Sequence, residues 1–353
     1  MQSSSHYFKD KPLFGLDIGT SSIKVMQLDT HNGDGLVRGY GVAAYDPNTI
    51  KDGVIDDFKG LAATIQDMFA NKIIGEVNTR RVAVSVPASK TFTKTIDLPL
   101  MRDNELLEAV KIESEQYIPM PLEDLYIDYI IIERRDNDVE LLTVAVPKKV
   151  IDSHMLLTRM LGLEAMAFDT TILAAGRLFQ QQISDIPTVL IDFGAASADI
   201  TVHDKKVIVT GTIPGGGNSF TELIAKKLRI SEQEAHIVKT KYGLNKSKKQ
   251  SEILEALQPR LDSLVKEIRR MVRYHEERSS SQQKIEQVIT MGGGANMPGM
   301  SDYMTNALRL PVRTCNPWGN LKLGKLQPPS EVEKSLYVTV SGLSLIKPRE
   351  LFL

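Results

Sequence analysis

The 353-residue sequence predicts an α/β protein of two related lobes, and three observations carry that reading. A short motif occurs twice, about half the chain apart: Leu16-Asp17-Ile18-Gly19-Thr20-Ser21-Ser22 and Ile191-Asp192-Phe193-Gly194-Ala195-Ala196-Ser197. Asp, Gly and Ser match in register at an offset of 175. Each copy follows an apolar run and precedes a strand-like one (23–26 and 198–202), the pattern of a β-hairpin with a carboxylate, a glycine and hydroxyls at its turn. Lastly, residues 287–291 read as a buried strand that passes through Gly292-Gly293-Gly294-Ala295-Asn296-Met297-Pro298-Gly299 into a helix over 301–308.

One hairpin per half suggests two lobes that clamp a polyanion between their turns. Glycine lets backbone N–H groups approach a phosphate closely, and Thr20, Ser21 and Ser22 add donors. A carboxylate beside a phosphate is repulsive unless a cation intervenes, and Mg²⁺ is held by one or two carboxylates, waters and phosphate oxygens. Asp17 and Asp192 are the candidate carboxylates, acting through water, with Lys24 neutralising remaining charge. Asp-x-Gly is also ordinary turn chemistry; its recurrence at half-chain spacing favours the site. Glycines 292–294 permit close contact with a flat ring, and the helix start that follows favours anions.

The composition suits a soluble globular chain of two or more domains: 42% apolar, 25% charged, net charge −1. That balance argues against dominant nucleic-acid binding, which leaves a basic footprint. A single cysteine, Cys315, excludes an internal disulfide framework and reads as packing in a reducing cytoplasm. The six histidines show no metal-ligand spacing. No apolar run reaches membrane-spanning length and no signal-peptide core is present, so a cytoplasmic location is expected.

Residues 1–11 read as a polar, disordered lead-in. Asp56 or Asp57 caps a helix carrying Phe58, Leu61, Ile65, Met68 and Phe69 on one face, and 81–87 is a buried strand. Residues 88–165 read strand, helix, two strands, helix. The first of those helices starts at Asp103, spaces Leu106, Val110, Glu113 and Tyr117 along one face, and stops at Pro119 and Pro121. Strands over 126–133 and 139–146 flank a turn, and a helix over 150–161 ends at Gly162. Residues 217–285 are largely helical. Within them the basic loop 245–251 reads as solvated, with anionic lipid contact the other reading, and Leu257, Leu261, Leu264, Ile268 and Met271 form a core stripe.

In this order, the two hairpins and the glycine loop resemble the phosphate 1, phosphate 2 and adenosine motifs of the actin, heat-shock chaperone and sugar-kinase superfamily. Leu98-Pro99-Leu100-Met101, the run from Glu105 to Val110, Glu113-Ser114-Glu115-Gln116-Tyr117-Ile118-Pro119-Met120-Pro121-Leu122-Glu123-Asp124, Asp128-Tyr129 and Val144-Ala145-Val146-Pro147-Lys148 together resemble the PilM family of type IV pilus assembly proteins. The resemblance spans roughly 12–346. It implies an actin-like two-lobed ATPase fold with RNase H-like halves and an FtsA-type subdomain 1C inserted in the first lobe. The implied layout is 12–87 and 166–186 in 1A (the latter holding the connecting helix 168–179), 88–165 in 1C, 187–216 and 286–335 in 2A, 217–285 in 2B, and 336–353 returning to 1A through a second connecting helix at 337–346.

Carried over residue by residue, the resemblance assigns Asp17, Gly19, Thr20, Ser21, Ser22 and Lys24 to phosphate 1, and Asp192, Gly194, Ala195, Ala196 and Ser197 to phosphate 2. Gly292, Gly293, Gly294, Asn296 and Met297 fall to the adenosine loop, and Gly215, Gly216, Gly217 and Asn218 to a further backbone segment near the phosphates. Relatives carry an Ala-Glu-x-x-Lys helix over the ribose and adenine; here Lys239 is kept and His236 replaces the glutamate, which loses a carboxylate acceptor. The implied cofactors are ATP and Mg²⁺, with at most slow turnover, and Asp169 is the only catalytic candidate by position. The implied role is a scaffold whose 1A–1C groove takes the cytoplasmic N-terminal peptide of the membrane protein PilN, with Tyr117, Ile118 and Met120 as groove candidates. The inner-membrane platform and cytoplasmic pilus ATPases would be reached indirectly, with no nucleic acid and no direct membrane insertion; homo-oligomers are compatible. The alternatives are an FtsA-like division or filament-forming protein and a small-molecule kinase. Pro348 and the short tail oppose an FtsA-like membrane helix, and the 1C-like insertion opposes a kinase.

Overall fold

The structure, a computed structural model, describes residues 11–29, 35–182, 186–204, 206–278 and 283–347. The expected lead-in at 1–10 and the tail from Pro348 lie outside them. The chain divides into two compact units: residues up to 178 with 321–327 and 339 onward, and residues 179–320 with 328–338.

The first unit is built on a six-stranded sheet ordered Glu164–Thr170, Arg81–Val86, Phe14–Ile18, Ser22–Asp29, Leu36–Ala44, Ile73–Gly75. Phe14–Ile18 pairs antiparallel with Ser22–Asp29 across the predicted turn and parallel with Arg81–Val86. The helix Phe58–Asn71, capped by Asp57 through Gly60 N–H, lays Leu61, Ile65 and Met68 on one sheet face against Phe14, Leu16 and Val84. Fully burying each such side chain contributes roughly 1.5–3 kcal/mol. On the other face a Cβ at Gly15 would sit 2.6 Å from the Val340 carbonyl, so glycine lets the helix Val338–Ser344 pack directly on the strand.

The span 88–165 is heterogeneous. Phe92–Pro99, Asp138–Pro147 and Leu125–Arg134 form a separate three-stranded sheet, covered on one face by Leu106 and Val110 of the helix Asp103–Ser114. That helix stops before Tyr117, whose N–H bonds Ser114 O in the turn that follows. The helix Lys148–Met160, by contrast, gives Leu157 to the core of the six-stranded sheet, and Glu164–Thr170 is a strand of that sheet. A parallel strand needs a crossover helix, and Lys148–Met160 supplies it. Residues 168–170 therefore end a strand rather than begin the connecting helix, which runs Thr171–Gln182.

The second unit holds a five-stranded sheet ordered Lys206–Pro214, Ser197–Asp204, Thr188–Phe193, Gln287–Met291, Val312–Thr314. Its directions repeat the first sheet: a hairpin, a third antiparallel strand beyond it, and two parallel strands on the other side. Gly217–Leu228, Glu232–Lys241 and Gln250–Arg278 are helices, and the predicted stripe from Leu257 to Met271 is buried in this unit's core. Residues 321–327, expected within the second lobe, pack with the first unit: Val37 N–H bonds Lys322 O at 2.9 Å and the Tyr40 hydroxyl donates to Gln327 O.

Candidate functional site

In the first hairpin, Asp17 and Lys24 stand directly opposite each other on adjacent strands. Lys24 Nζ donates to Asp17 Oδ2 at 3.1 Å, and both side chains are buried. Ser85, from the parallel neighbour, donates its hydroxyl to Asp17 Oδ1 at 2.7 Å and accepts Ile18 N–H at 3.1 Å. The turn closes through Gly19 N–H to Ser22 O at 3.0 Å, and Tyr45 donates its hydroxyl to Gly19 O. Burial, then the Asp17 charge, pushes the Tyr45 phenol well above its ordinary value, so it acts purely as a donor. Thr20 and Ser21 stay exposed at the tip.

In the second hairpin, Asp192 faces Asp199 across the strand pair, and Thr212 donates to Asp199 Oδ1 at 2.6 Å. Burial pushes the Asp199 carboxyl up to about 6. The turn is knitted to the start of the next helix: Gly215, Gly217 and Asn218 N–H groups bond the carbonyls of Ala196, Gly194 and Ala195, each at 2.9 Å. A Cβ at Gly216 would lie 2.2 Å from Gly194 O, so only glycine allows this approach. Lys239 Nζ reaches the same turn, donating to Gly217 O and Thr221 Oγ1 at 2.7 Å each. Burial lowers the Lys239 pKa; partial desolvation and then the Lys239 charge hold His236, which keeps much of its surface in solvent, below its ordinary value.

The glycine loop joins this cluster. Gly292 adopts φ 78°, and a Cβ there would sit 2.3 Å from Asp192 Oδ1. Ser335 clamps the loop from outside: its carbonyl accepts Gly292 N–H at 3.2 Å, and its hydroxyl reaches Gly292 O at 3.2 Å and Asn296 Oδ1 at 3.1 Å. Asn296 in turn donates to Val332 O at 2.6 Å, so its side chain holds the loop. Met297 is buried in the core and offers only backbone. Beside the loop lies a cavity of about 380 Å³ at the C-terminal ends of Gln287–Met291 and Val312–Thr314, lined by Asn296, Thr314, Cys315, Asn316, Lys334 and Ser335. Cys315 is buried and burial pushes its thiol up to about 12, consistent with packing.

The second unit thus brings together Asp192, 194–197, 215–218, Lys239 and 292–296, and the first unit gathers Asp17, 19–22 and Lys24. Asp169 stands in register beside Ser85, the residue that bonds Asp17, on the neighbouring parallel strand. It pairs with Arg177 at 2.8 Å, and Arg177 also bonds Gly342 O. Burial raises the Asp169 pKa against the pull of Arg177, and this tie anchors the helix after the strand. Of the groove candidates, Ile118 is buried, and Tyr117 and Met120 are half-buried. Ile118 is buried with Leu125 and Ala145, Tyr117 bonds Thr143 Oγ1 at 2.7 Å, and Met120 packs on the same cluster. Tyr45, Ser85, Asp199, Thr212 and Ser335 are site residues that no sequence motif marked. For Asp199 a signal existed: it lies at the offset of 175 from Lys24.

Comparison with solved structures places this architecture among actin-like proteins. The fold is similar to that in a PilM-PilN type IV pilus biogenesis complex, with TM-score 0.83 and 22% identity over 95% of this chain and 98% of that one. It is also similar to the ethanolamine utilization protein EutJ from Carboxydothermus hydrogenoformans (TM-score 0.56, 16% identity, 96% and 91% covered). MreB 5 of Spiroplasma citri bound to AMPPNP follows (TM-score 0.52, 14% identity, 94% of each chain). The sequence model of one family, described as type IV pilus assembly protein PilM, matches residues 15–347, and the chain belongs to that family.

Proposed function

We propose that this chain is a Mg-ATP-binding scaffold of type IV pilus assembly that holds the cytoplasmic N-terminal peptide of PilN. The family match across residues 15–347 carries the assembly role. The partner is supported by the similar chain solved in a PilM-PilN complex, and nucleotide by the similarly folded MreB solved with AMPPNP. The donor set fits a nucleotide. Exposed hydroxyls at Thr20 and Ser21 suit phosphate oxygens, and Asp17 and Asp192 suit a hydrated divalent cation. Gly292 and Gly294 let the loop backbone pack directly on Asp192 and Phe193 of the second hairpin, and the resemblance would give the base to this loop and the ribose to Lys239 and His236. When bound, the cation would neutralise phosphate charge beside these carboxylates. Asp192→Ala is expected to weaken Mg-dependent ATP binding at least tenfold by calorimetry, and so is Asp17→Ala, which also strands buried Lys24 and is measured where the variant is still folded by circular dichroism; unchanged affinity in both removes the nucleotide from these hairpins.

For the peptide, the exposed counterparts of Tyr117, Ile118 and Met120 are Tyr126, Ile130, Leu156 and Met160, each between 44% and 48% exposed. Tyr126 and Ile130 share one face of Leu125–Arg134, which pairs only with Asp138–Pro147 among the described residues. Tyr126 touches Asp152 through a 3.0 Å hydrogen bond, and Leu156 and Met160 follow at successive turns of that helix. An open strand edge beside an apolar stripe suits an extended peptide that adds backbone hydrogen bonds and inserts a few side chains. Titration with a synthetic PilN N-terminal peptide is expected to show binding that Tyr126→Asp and Leu156→Asp each weaken at least tenfold. Retained affinity in both variants would move the peptide elsewhere.

A further inference from the structure

Between 226 and 249 the sequence places eight Lys and Arg against two acidic residues, in a chain whose net charge is −1. The two acids, Glu232 and Glu234, sit in the first turn of the helix Glu232–Lys241, where Glu234 is engaged in a capping box with Ser231. The opposite end of that helix and the loop after it are therefore wholly basic. Lys241, Lys246 and Lys248 are exposed there, whereas Lys249 pairs with Glu252 and Lys227 with Glu255.

Two apolar side chains stand within this basic strip: Ile237 at 60% exposure and Tyr242 at 38%. Lys241 Nζ lies 5.4 Å from the Tyr242 ring centroid, so the aromatic and the cation face the same side. The loop is held firmly. Leu244 is buried and its N–H bonds Pro298 O at 2.7 Å, Asn245 N–H closes on Tyr242 O at 3.0 Å, and Gln250 donates to Leu244 O at 2.8 Å. This anchorage presents the lysines and the two apolar groups on a fixed platform.

We propose that this face of the second unit, Ile237, Lys241, Tyr242, Lys246 and Lys248, docks on an anionic phospholipid surface. Charge complementarity selects the headgroups, and the combination of lysine stems, an aliphatic tip and an amphipathic tyrosine suits the headgroup boundary rather than a fully aqueous partner. The contact extends the tether through PilN and does not rest on it. Once a membrane partner holds the chain nearby, a weak surface contact is raised by effective concentration.

The test is co-sedimentation of the full chain, without PilN peptide, with vesicles of phosphatidylglycerol in phosphatidylcholine or of phosphatidylcholine alone. Binding is expected only to the anionic vesicles and falls as salt rises. Reversing Lys241, Lys246 and Lys248 to Glu together abolishes it, each lysine carrying about a fivefold share. Ile237→Ser weakens binding at low salt, and a charge-matched control, Lys59→Glu with Lys266→Glu and Lys325→Glu, retains it. Absence of binding to anionic vesicles, equal binding by the patch variant, or equal binding to both vesicle types overturns the proposal. Poly-glutamate that binds as tightly as the vesicles also overturns it, by assigning the face to an acidic protein.

Discussion

The two hairpins share a backbone plan and differ in charge. At the offset of 175, Asp17 matches Asp192 and Gly19 matches Gly194, but Lys24 matches Asp199. Each pair stands directly cross-strand, so the first hairpin buries an ion pair and the second sets two carboxyl groups side by side. Like charges in that position repel. The second hairpin answers with Thr212, which donates to Asp199, and with a carboxyl that holds its proton up to about 6. One duplicated frame thus sets a lysine opposite its turn carboxylate in one copy and a second carboxyl group in the other.

Breaking the first hairpin has the largest expected effect. Lys24→Ala strands Asp17 in a buried site, and removing one partner of such a pair costs about 3–5 kcal/mol. Urea denaturation of Lys24→Ala, and of Asp17→Asn combined with Lys24→Met, measures it. The double variant is expected to recover most of the loss, whereas a loss that persists would show that packing, not charge, dominates.

The second hairpin predicts a pH signature instead. The folded chain holds the Asp199 proton more tightly than the unfolded chain, whose carboxyl lies near the ordinary 3.8. That contribution is therefore complete below the unfolded value and is lost as pH rises through about 6. Relative to Asp199→Asn, wild type is expected to lose about 3 kcal/mol across this window. Parallel stability curves for the two proteins would place the titration on another group.

Smallest are the clamps that hold each loop. Tyr45→Phe removes the donor to Gly19 O, and Ser335→Ala the hydroxyl that joins Gly292 O to Asn296. Each is expected to cost about 1 kcal/mol of stability. If the loops serve the nucleotide, ATP affinity falls by several-fold as well, read by calorimetry against wild type. Stability loss with unaltered affinity would make these clamps purely structural.

Local chemistry is legible in the chain itself. The doubled Asp-x-Gly turns, the Asp57 cap, the stripe from Leu257 to Met271 and the strand–glycine–helix passage all rest on patterns a few residues long, and the fold keeps each where its pattern falls. Asp169 shows the limit. Its position near a predicted helix makes it a catalytic candidate, and only the fold shows that it ends a strand beside Ser85 and pairs with Arg177. Tyr117, Ile118 and Met120 stand at a predicted helix end, and only the packing of the small sheet shows that Ile118 is buried while its two neighbours stay half-buried.

The duplication, the α/β class, the turns and the helical core stripe can be read from the residues alone, because turn preferences and periods of two or 3.6 residues act between near neighbours. Family membership was legible for the same reason, in contiguous runs such as 98–124. Long-range packing is what makes Ser85 hold Asp17, Ser335 clamp Gly292, Gly342 lie against Ala174 and 321–327 join the first unit. Those partners are 43 to 168 residues apart or set by long-range strand pairing, where loop closure is repaid only by burial in a completed sheet and no local pattern records the choice.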